Sequence, residues 1–224
     1  LTPRPWKIMV YDTGSGLCKA IYQSPSTMNG GVRTTHGGIN LHWGEGKITF
    51  LSYHDGWPHL YAIDPEGGDP LLLTPGNYMA EYISLSPDGR SLFFSGNTGP
   101  DTYDIDRRHI VRASLQTQDA VVITPGKGNE WAPVMTGDGK YLVYIGAGPQ
   151  EPPLVRILEI NSGLTIEPGR NLIPGDFPIS ELTVPYQALF KAADGTSIHG
   201  MVFNTDWIKG KKPTVIFVPG VPHR

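Results

Sequence analysis

The most suggestive side chains for chemistry are two histidines, His54 and His59, which lie five residues apart around Asp55. Histidine and aspartate are metal ligands, but a zinc site requires three or four ligands that converge. The chain has seven histidines, and the others are dispersed. His59 also falls in register with His109, 50 residues later, within a repeated segment. We therefore predict that these histidines have a structural role and that the chain binds no metal.

Three aspartates, Asp101, Asp104 and Asp106, imitate the spacing of ligands in a calcium loop. The glycine and the later bidentate glutamate of such loops are missing, so we expect a solvated loop between strands. Pairs of the form Gly-x-Gly occur five times, but none extends to the Gly-x-Gly-x-x-Gly of a dinucleotide site. The sequence thus predicts no metal and no organic cofactor.

Charge and composition argue against several classes of partner. The chain has 18 basic and 21 acidic residues, a net charge of −3 and no basic stripe, so nucleic-acid binding is not expected. No apolar run approaches 18 residues, so no membrane span is predicted. Cys18 is the single cysteine, which excludes a disulfide within the chain. Because the chain begins at Leu1, an N-terminal signal or further sequence stays open, and so does the compartment, cytoplasmic or secreted.

Turn signals recur in a fixed order ahead of short apolar segments, at 43–47, 86–90 and 136–140. The second half of the unit also repeats, because 59–76 aligns without gaps on 109–126 at an offset of 50. Each unit holds four apolar segments over 40 to 50 residues. Four strands in a unit of this length are typical of a β-propeller blade.

We predict a mainly β fold, in which a partial β-propeller of about three and a half four-stranded blades spans 1–176. The first strands of an α/β domain then follow over 177–224. Propellers usually close with four to eight blades, so we expect the chain to be part of something larger. The predicted units are a half blade at 1–37 and full blades at 38–80, 81–130 and 131–170.

The C-terminal segment has a different pattern. Residues 181–190 are predicted to form a strand, Asp194-Gly195 a hairpin turn and 197–203 the return strand. The run 213–218 is apolar throughout, as is typical of a strand buried on both faces of an α/β sheet. We therefore expect a second domain to begin in this segment.

With these features the chain resembles the prolyl oligopeptidase family of serine peptidases, nearest its dipeptidyl-peptidase and acylaminoacyl-peptidase branches. The matching residues are the Ser-Pro-Asp-Gly-Arg type repeats, Ala-Asp-Gly-Thr-Ser-Ile-His-Gly at 193–200 and Lys-Lys-Pro-Thr-Val-Ile-Phe-Val-Pro-Gly at 211–220. The resemblance covers nearly the whole chain, and the order of these parts is more specific than the repeats alone. It implies that residues from 177 onward begin an α/β-hydrolase domain and that the propeller restricts entry to short peptides.

The resemblance also implies a Ser-Asp-His triad with its serine in a Gly-x-Ser-x-Gly elbow. No such elbow occurs in the 224 residues. We therefore predict no catalytic residue in this chain, a triad beyond Arg224 and no peptide hydrolysis by the chain alone. The family's oxyanion loop usually reads His-Gly-Gly-Pro or Tyr-Gly-Gly-Pro, where this chain has Pro219-Gly-Val-Pro222. Because this departs from the pattern, Gly220 and Val221 are only a candidate remnant of that loop.

By the same resemblance, the expected partners are short peptides for the whole enzyme and, for this chain, the rest of the propeller and hydrolase domain or a second chain. Acidic or arginine side chains of the propeller grip the substrate in related peptidases, and Glu81, Arg33 and Glu130 are the candidates. Two alternatives stay open. A TolB-like, non-catalytic, protein-binding propeller accounts for 1–170 but leaves 181–220 without a role. An oligogalacturonate-lyase-like propeller would need a histidine-rich metal cluster.

Overall fold

The computed structural model describes residues 2–31, 40–204, 210–211 and 213–218. These residues form five antiparallel sheets, in which each strand pairs with its neighbour in sequence. The first is an N-terminal hairpin of β1 (Lys7–Tyr11) and β2 (Cys18–Gln23), and three four-stranded sheets follow it.

The three four-stranded sheets have the strand order of propeller blades. The first sheet contains β3 (His42–Gly44), β4 (Lys47–Ser52), β5 (His59–Ile63) and β6 (Leu71–Leu72); the second contains β7 (Ala80–Leu85), β8 (Ser91–Gly96), β9 (His109–Ser114) and β10 (Ala120–Val122); the third contains β11 (Asn129–Met135), β12 (Tyr141–Gly148), β13 (Glu151–Glu159) and β14 (Thr165–Ile166). The prediction of a mainly β fold with four-stranded propeller blades is confirmed.

The C-terminal hairpin of β15 (Tyr186–Lys191) and β16 (Ser197–Val202) completes the strands. The described helical elements are short 3-10 turns, at Asn29–Gly31, Thr102–Asp106, Arg170–Leu172 and Ile179–Glu181. None of these turns has the length or the apolar character needed to cross a membrane.

In each four-stranded sheet, the repeated turn connects the first strand to the second. Gly46, Gly89 and Gly139 adopt φ angles of +73°, +70° and +72°, a conformation that favours glycine because it has no Cβ. In the second sheet Ser86 Oγ donates to Asp88 Oδ1 at 2.6 Å and closes the turn from inside. The spacing of these turns is what makes the repeat visible in the sequence.

The core lies between the stacked sheets rather than inside any one of them. Buried apolar side chains fill three interfaces: Ile8, Ile21, Ile48, Phe50, Tyr61 and Ile63 under the N-terminal hairpin; Leu51, Leu60, Leu73, Ala80, Leu92, Phe94 and Val111 between the first and second sheets; and Phe93, Ile110, Leu142, Tyr144 and Leu158 between the second and third. Because the first sheet is covered on both faces, all five residues of β5 are buried.

The predicted hairpin turn in the C-terminal segment is confirmed, since Phe190 pairs with Ile198 across it. The prediction that its first strand starts at Glu181 is wrong, because a 3-10 turn ends at this residue and the strand starts at Tyr186. Pro185 precedes the strand and has no N–H to donate to a ladder, which favours a start after it.

The prediction of a buried strand at 213–218 is also wrong for the described structure. No described strand pairs with this run, and Val215 and Phe217 are 93% and 86% exposed. A strand of a parallel sheet obtains its hydrogen bonds and its cover from neighbouring elements. An apolar run alone cannot supply them.

Candidate functional site

One end of the sheets faces the C-terminal hairpin. The β8–β9 and β10–β11 loops and the β12–β13 turn lie at this end. Two polar contacts connect it to the C-terminal segment: His199 Nδ1 lies 3.5 Å from Asp106 Oδ2, and Gln150 Nε2 donates to the Leu182 carbonyl at 2.9 Å. Loops positioned by a rigid scaffold commonly carry function, so this end is the candidate site.

An open cleft of about 510 Å³ separates the loops from the hairpin. Its size is within the range of pockets that hold small ligands. The sheet side presents polar and charged groups, whereas the hairpin side is more apolar. The lining residues are Tyr103, Asp106, Arg107, Lys127, Asn129 and Pro149 on the sheet side, and Val184, Pro185, Tyr186, Gln187 and Met201 on the other.

A capped 3-10 turn shapes the β8–β9 loop. Asp101 Oδ1 accepts from the Tyr103 N–H at 3.0 Å, and Asp104 Oδ2 accepts from the Asp101 N–H at 2.9 Å. Arg107 donates to both carboxylates. A Cβ on Gly99 would lie 2.1 Å from Asp104 Oδ2, so only glycine fits against this turn.

The expectation of a solvated loop is therefore wrong for Asp104, which is 1% exposed. Burial by itself would raise the pKa of Asp104. The Asp101 N–H and the side chains of His109 and Arg107 outweigh it, so the pKa of Asp104 lies below its ordinary value. Asp104 is thus a buried carboxylate that remains charged.

His109 lies between this carboxylate and one from the third sheet. Its Nδ1 is 2.9 Å from Glu130 Oε2, and its Nε2 is 3.1 Å from Asp104 Oδ1. The ring is completely buried. Burial disfavours the imidazolium, but the nearby carboxylates of Glu130 and Asp104 more than compensate, so the pKa of His109 is raised. The His109 ring therefore joins the second sheet to the third through carboxylates that favour its charged form.

Arg156 continues the chain of charges. Its Nε lies 2.9 Å from Glu167 Oε1, its Nη1 lies 3.7 Å from Glu130 Oε1, and its Nη2 contacts Glu151. Arg170 also contacts both Glu151 and Glu167. We call the connected set the ionic cluster; it comprises Asp101, Asp104, Arg107, His109, Glu130, Glu151, Arg156, Glu167 and Arg170.

Sequence reasoning missed Arg156 and the cluster it centres. No local pattern marks this arginine, because its carboxylate partners lie between five and 26 residues away along the chain. The register of His59 with His109 was the available signal, and it pointed to a structural histidine without identifying the partners.

Glu81 forms a separate ion pair beside the cluster. Its Oε2 accepts from Arg108 Nε at 2.7 Å, and its side chain is 8% exposed. The Arg108 N–H in turn donates to Asn129 Oδ1 at 2.9 Å, which connects the second sheet to β11.

The candidate residues from the sequence fall into two groups. Glu81 and Glu130 lie at the hairpin-facing end, but both carboxylates are buried and engaged by cationic side chains. In this structure they hold the scaffold rather than face a ligand. Arg33, Gly220 and Val221 lie outside the described residues.

His54 and His59, the pair that first suggests a metal, do not converge. His59 Nδ1 lies 2.6 Å from Asp55 Oδ2, which also accepts from the Tyr61 hydroxyl at 3.0 Å. His54 Nδ1 lies 3.0 Å from Ser52 Oγ instead. In the part of the chain that the structure describes, His, Cys, Asp and Glu side chains form no group of three suited to a metal ion.

Comparison with known proteins gives one family match. The model of the dipeptidyl peptidase IV N-terminal region matches residues 6–153. Among curated proteins, a probable dipeptidyl peptidase 4 from Emericella nidulans is 23% identical over 155 residues. That alignment covers 65% of this chain and 20% of the fungal protein.

Solved structures show the same fold. A puromycin-hydrolyzing peptidase from Mycobacterium tuberculosis has a TM-score of 0.64 at 17% identity, over 89% of this chain and 29% of that one. Dipeptidyl peptidase 4 from Porphyromonas gingivalis has a TM-score of 0.65 at 13% identity, over 92% of this chain and 28% of that one. The chain thus spans less than a third of the length of each of these relatives.

Proposed function

The chain belongs to the family of dipeptidyl peptidase IV N-terminal regions, and on that basis we propose that it is the substrate-gating propeller part of a serine exo- or oligopeptidase. The whole enzyme would cleave short peptides. The observation that carries the proposal is the family match over 6–153, which includes the first two four-stranded sheets and most of the third.

The loops at the hairpin-facing end support a gating role. In a propeller that caps a second domain, access to the interior is set by the loops at the facing end. Here those loops are held by buried ion pairs, with Glu81–Arg108 and His109–Glu130 at the ends of the strands. A loop fixed in this way can exclude large substrates without having to be ordered by each substrate that enters.

The chemistry itself is proposed to reside elsewhere in the whole protein. Residues 1–224 contain no Gly-x-Ser-x-Gly elbow, so the proposed triad and its oxyanion donors are completed outside them. The chain alone is then inactive, and its contribution is to select what reaches the triad. Its structural partners are the rest of the propeller and the hydrolase domain.

The test is an assay with Gly-Pro-p-nitroanilide and Ala-Ala-p-nitroanilide on the 224-residue chain and on the whole protein. We expect turnover by the whole protein that is abolished when its elbow serine is replaced by alanine, and none by the chain. Turnover by the isolated chain, or its absence from the whole protein over a wide panel of short peptides, would contradict the proposal.

The two alternative functions are less well supported. A TolB-like binding propeller accounts for the stacked sheets but gives no role to the C-terminal hairpin, 186–202. An oligogalacturonate-lyase-like propeller needs a metal cluster, and within the described residues no three His, Cys, Asp or Glu side chains are grouped suitably for one.

A further inference from the structure

The cleft between the sheet ends and the C-terminal hairpin has an exposed cation, Lys127, that makes no ion pair with the described residues. We propose that this cleft binds the carboxyl end of a short peptide, with Lys127 as the partner of the carboxylate. The choice of a peptide rests on the proposed function. The choice of its carboxyl end rests on the charges of the cleft.

The other charged groups of the cleft are less accessible to a ligand. Arg107 donates to Asp101 and Asp104 at 3.2 and 2.9 Å. Asp106 Oδ2 accepts no hydrogen bond from the described residues, but it is shielded from solvent and lies 3.5 Å from the His199 ring. Lys127 is exposed and forms no ion pair or hydrogen bond with the residues that the structure describes. The unpaired charge that a ligand can reach is therefore that of Lys127, which favours an anionic ligand.

Asn129 adds a neutral donor to the same wall. Its amide oxygen accepts the Arg108 N–H at 2.9 Å, which orients the side chain. The amide nitrogen is the other half of that group and can donate to a carboxylate oxygen. A single ammonium and an amide suit a singly charged carboxylate, whereas phosphate sites commonly use arginine or several donors.

The opposite wall suits the apolar part of a peptide. Tyr186 and Met201 of the hairpin are 57% and 53% exposed, and Tyr103 across the cleft is 48% exposed. Pro149 and Pro185 also line the space. Aromatic and proline side chains offer rigid apolar surface at little entropic cost, so a side chain next to the carboxylate can pack between the walls.

The experiment is a calorimetric titration of the full 224-residue chain with Ala-Pro-Phe as the free acid and as its C-terminal amide. We expect the free acid to bind and the amide to bind at least fivefold more weakly. Lys127→Gln should weaken free-acid binding at least fivefold and leave amide binding unchanged. Lys140→Gln is the matched control, because Lys140 is also exposed but belongs to the β11–β12 turn at the far end of the third sheet.

Equal affinity for acid and amide, unchanged binding in Lys127→Gln, or no binding at millimolar peptide would each overturn the inference. Circular dichroism on both variants checks that they are folded, and an exposed lysine is a safe position to replace. Hydrolysis by the whole protein without binding here would sink this inference alone. Carboxylate-dependent binding in a whole protein without peptidase activity would sink the proposed function instead.

Discussion

His109 shows how a single residue can join two sheets through its charge. A completely buried imidazole is ordinarily kept neutral, since burial disfavours the cation. Here Asp104 and Glu130 lie 3.1 and 2.9 Å from its two ring nitrogens, and they reverse that preference. Arg107 and Arg156 balance the same carboxylates from the other side, at 2.9 and 3.7 Å.

This arrangement predicts that stability falls as pH rises above neutrality. Because the folded pKa of His109 is raised, its stabilisation is complete below the unfolded value of about 6.5 and is lost as pH rises through the folded value. The loss amounts to about 1.4 kcal/mol for each unit by which the pKa is raised. Urea unfolding at intervals between pH 6 and 9 measures it.

The comparison is with His109→Gln, in which we expect this decline to disappear. His42, whose pKa is lowered by burial, contributes with the opposite sign, and the comparison cancels it because both proteins retain it. The same pH slope in His109→Gln as in the unmodified chain would show that the imidazole is not the group responsible.

At the scale of residues, only part of the surroundings of His109 could be predicted from the sequence. The register of His59 with His109 predicts a structural histidine, and His59 does pair with a carboxylate, that of Asp55. The partners of His109 could not be predicted, because Glu130 reaches it only when the second and third sheets stack on each other. The burial of Asp104 could not be predicted either, because it depends on the 3-10 turn and on the contact with Arg107. In the sequence, the residue resembles one in a solvated loop.

At the scale of elements, the three sheets could be predicted because a glycine turn of the same conformation connects the first two strands of each. The spacing of those turns indicates units of four short strands. It does so even where burial of a sheet on both faces removes the alternation of apolar and polar residues. The C-terminal segment shows the limit of such patterns. Its hairpin is local and can be predicted, whereas the composition of the run 213–218 is typical of a strand, but no described strand pairs with it.

One strand position predicts a sharp steric effect. A Cβ added to Gly146 of β12 would lie 2.7 Å from three atoms of the Arg156 side chain, which crosses this glycine. An ordinary arginine would swing away, but Glu130, Glu151 and Glu167 hold this one. We therefore expect Gly146→Ala to lower the free energy of unfolding by about 2 kcal/mol, as overpacking commonly does.

Gly148→Ala, two residues along the same strand, is the matched control. Its Cβ would meet nothing closer than 3.5 Å, at the Cβ of Glu151. Replacing a glycine in a compatible conformation stabilises by about 0.5 kcal/mol through the unfolded chain, so this variant should be neutral or slightly more stable. Urea unfolding of both variants decides the matter, and equal changes would mean that Arg156 is free to move.

At the scale of the whole molecule, the three apolar clusters of the described residues each join one sheet to the next, as in other repeat proteins. Stability then depends on the interfaces, which are filled by apolar side chains and carry buried charged groups at the hairpin-facing end. There the ionic cluster crosses from the β8–β9 loop through His109 to the third sheet. The cluster therefore couples two sheets at the place where the proposed function needs fixed loops.

Arg156→Met tests this coupling, because it removes the central cation and leaves Glu130, Glu151 and Glu167 close together. Breaking a buried ion pair typically costs 3 to 5 kcal/mol, so we expect a loss of about 3 kcal/mol for a side chain that is 15% exposed. Arg90→Met is the control, because its side chain is 70% exposed and lies 3.4 Å from Glu45. Exposed pairs of this kind contribute at most about 1 kcal/mol.

Amide hydrogen exchange of Arg156→Met shows whether the destabilisation reaches the second sheet. If Arg156 acts through Glu130 on His109, the amides of β9 in the second sheet must lose protection together with those of β13. This holds although the described ion pairs of Arg156 are with Glu130, Glu151 and Glu167, at the third sheet. Loss confined to the third sheet would mean that the cluster stabilises one blade without joining two. In that case the apolar cluster that contains Phe93 and Leu142 would be what holds the two sheets in register.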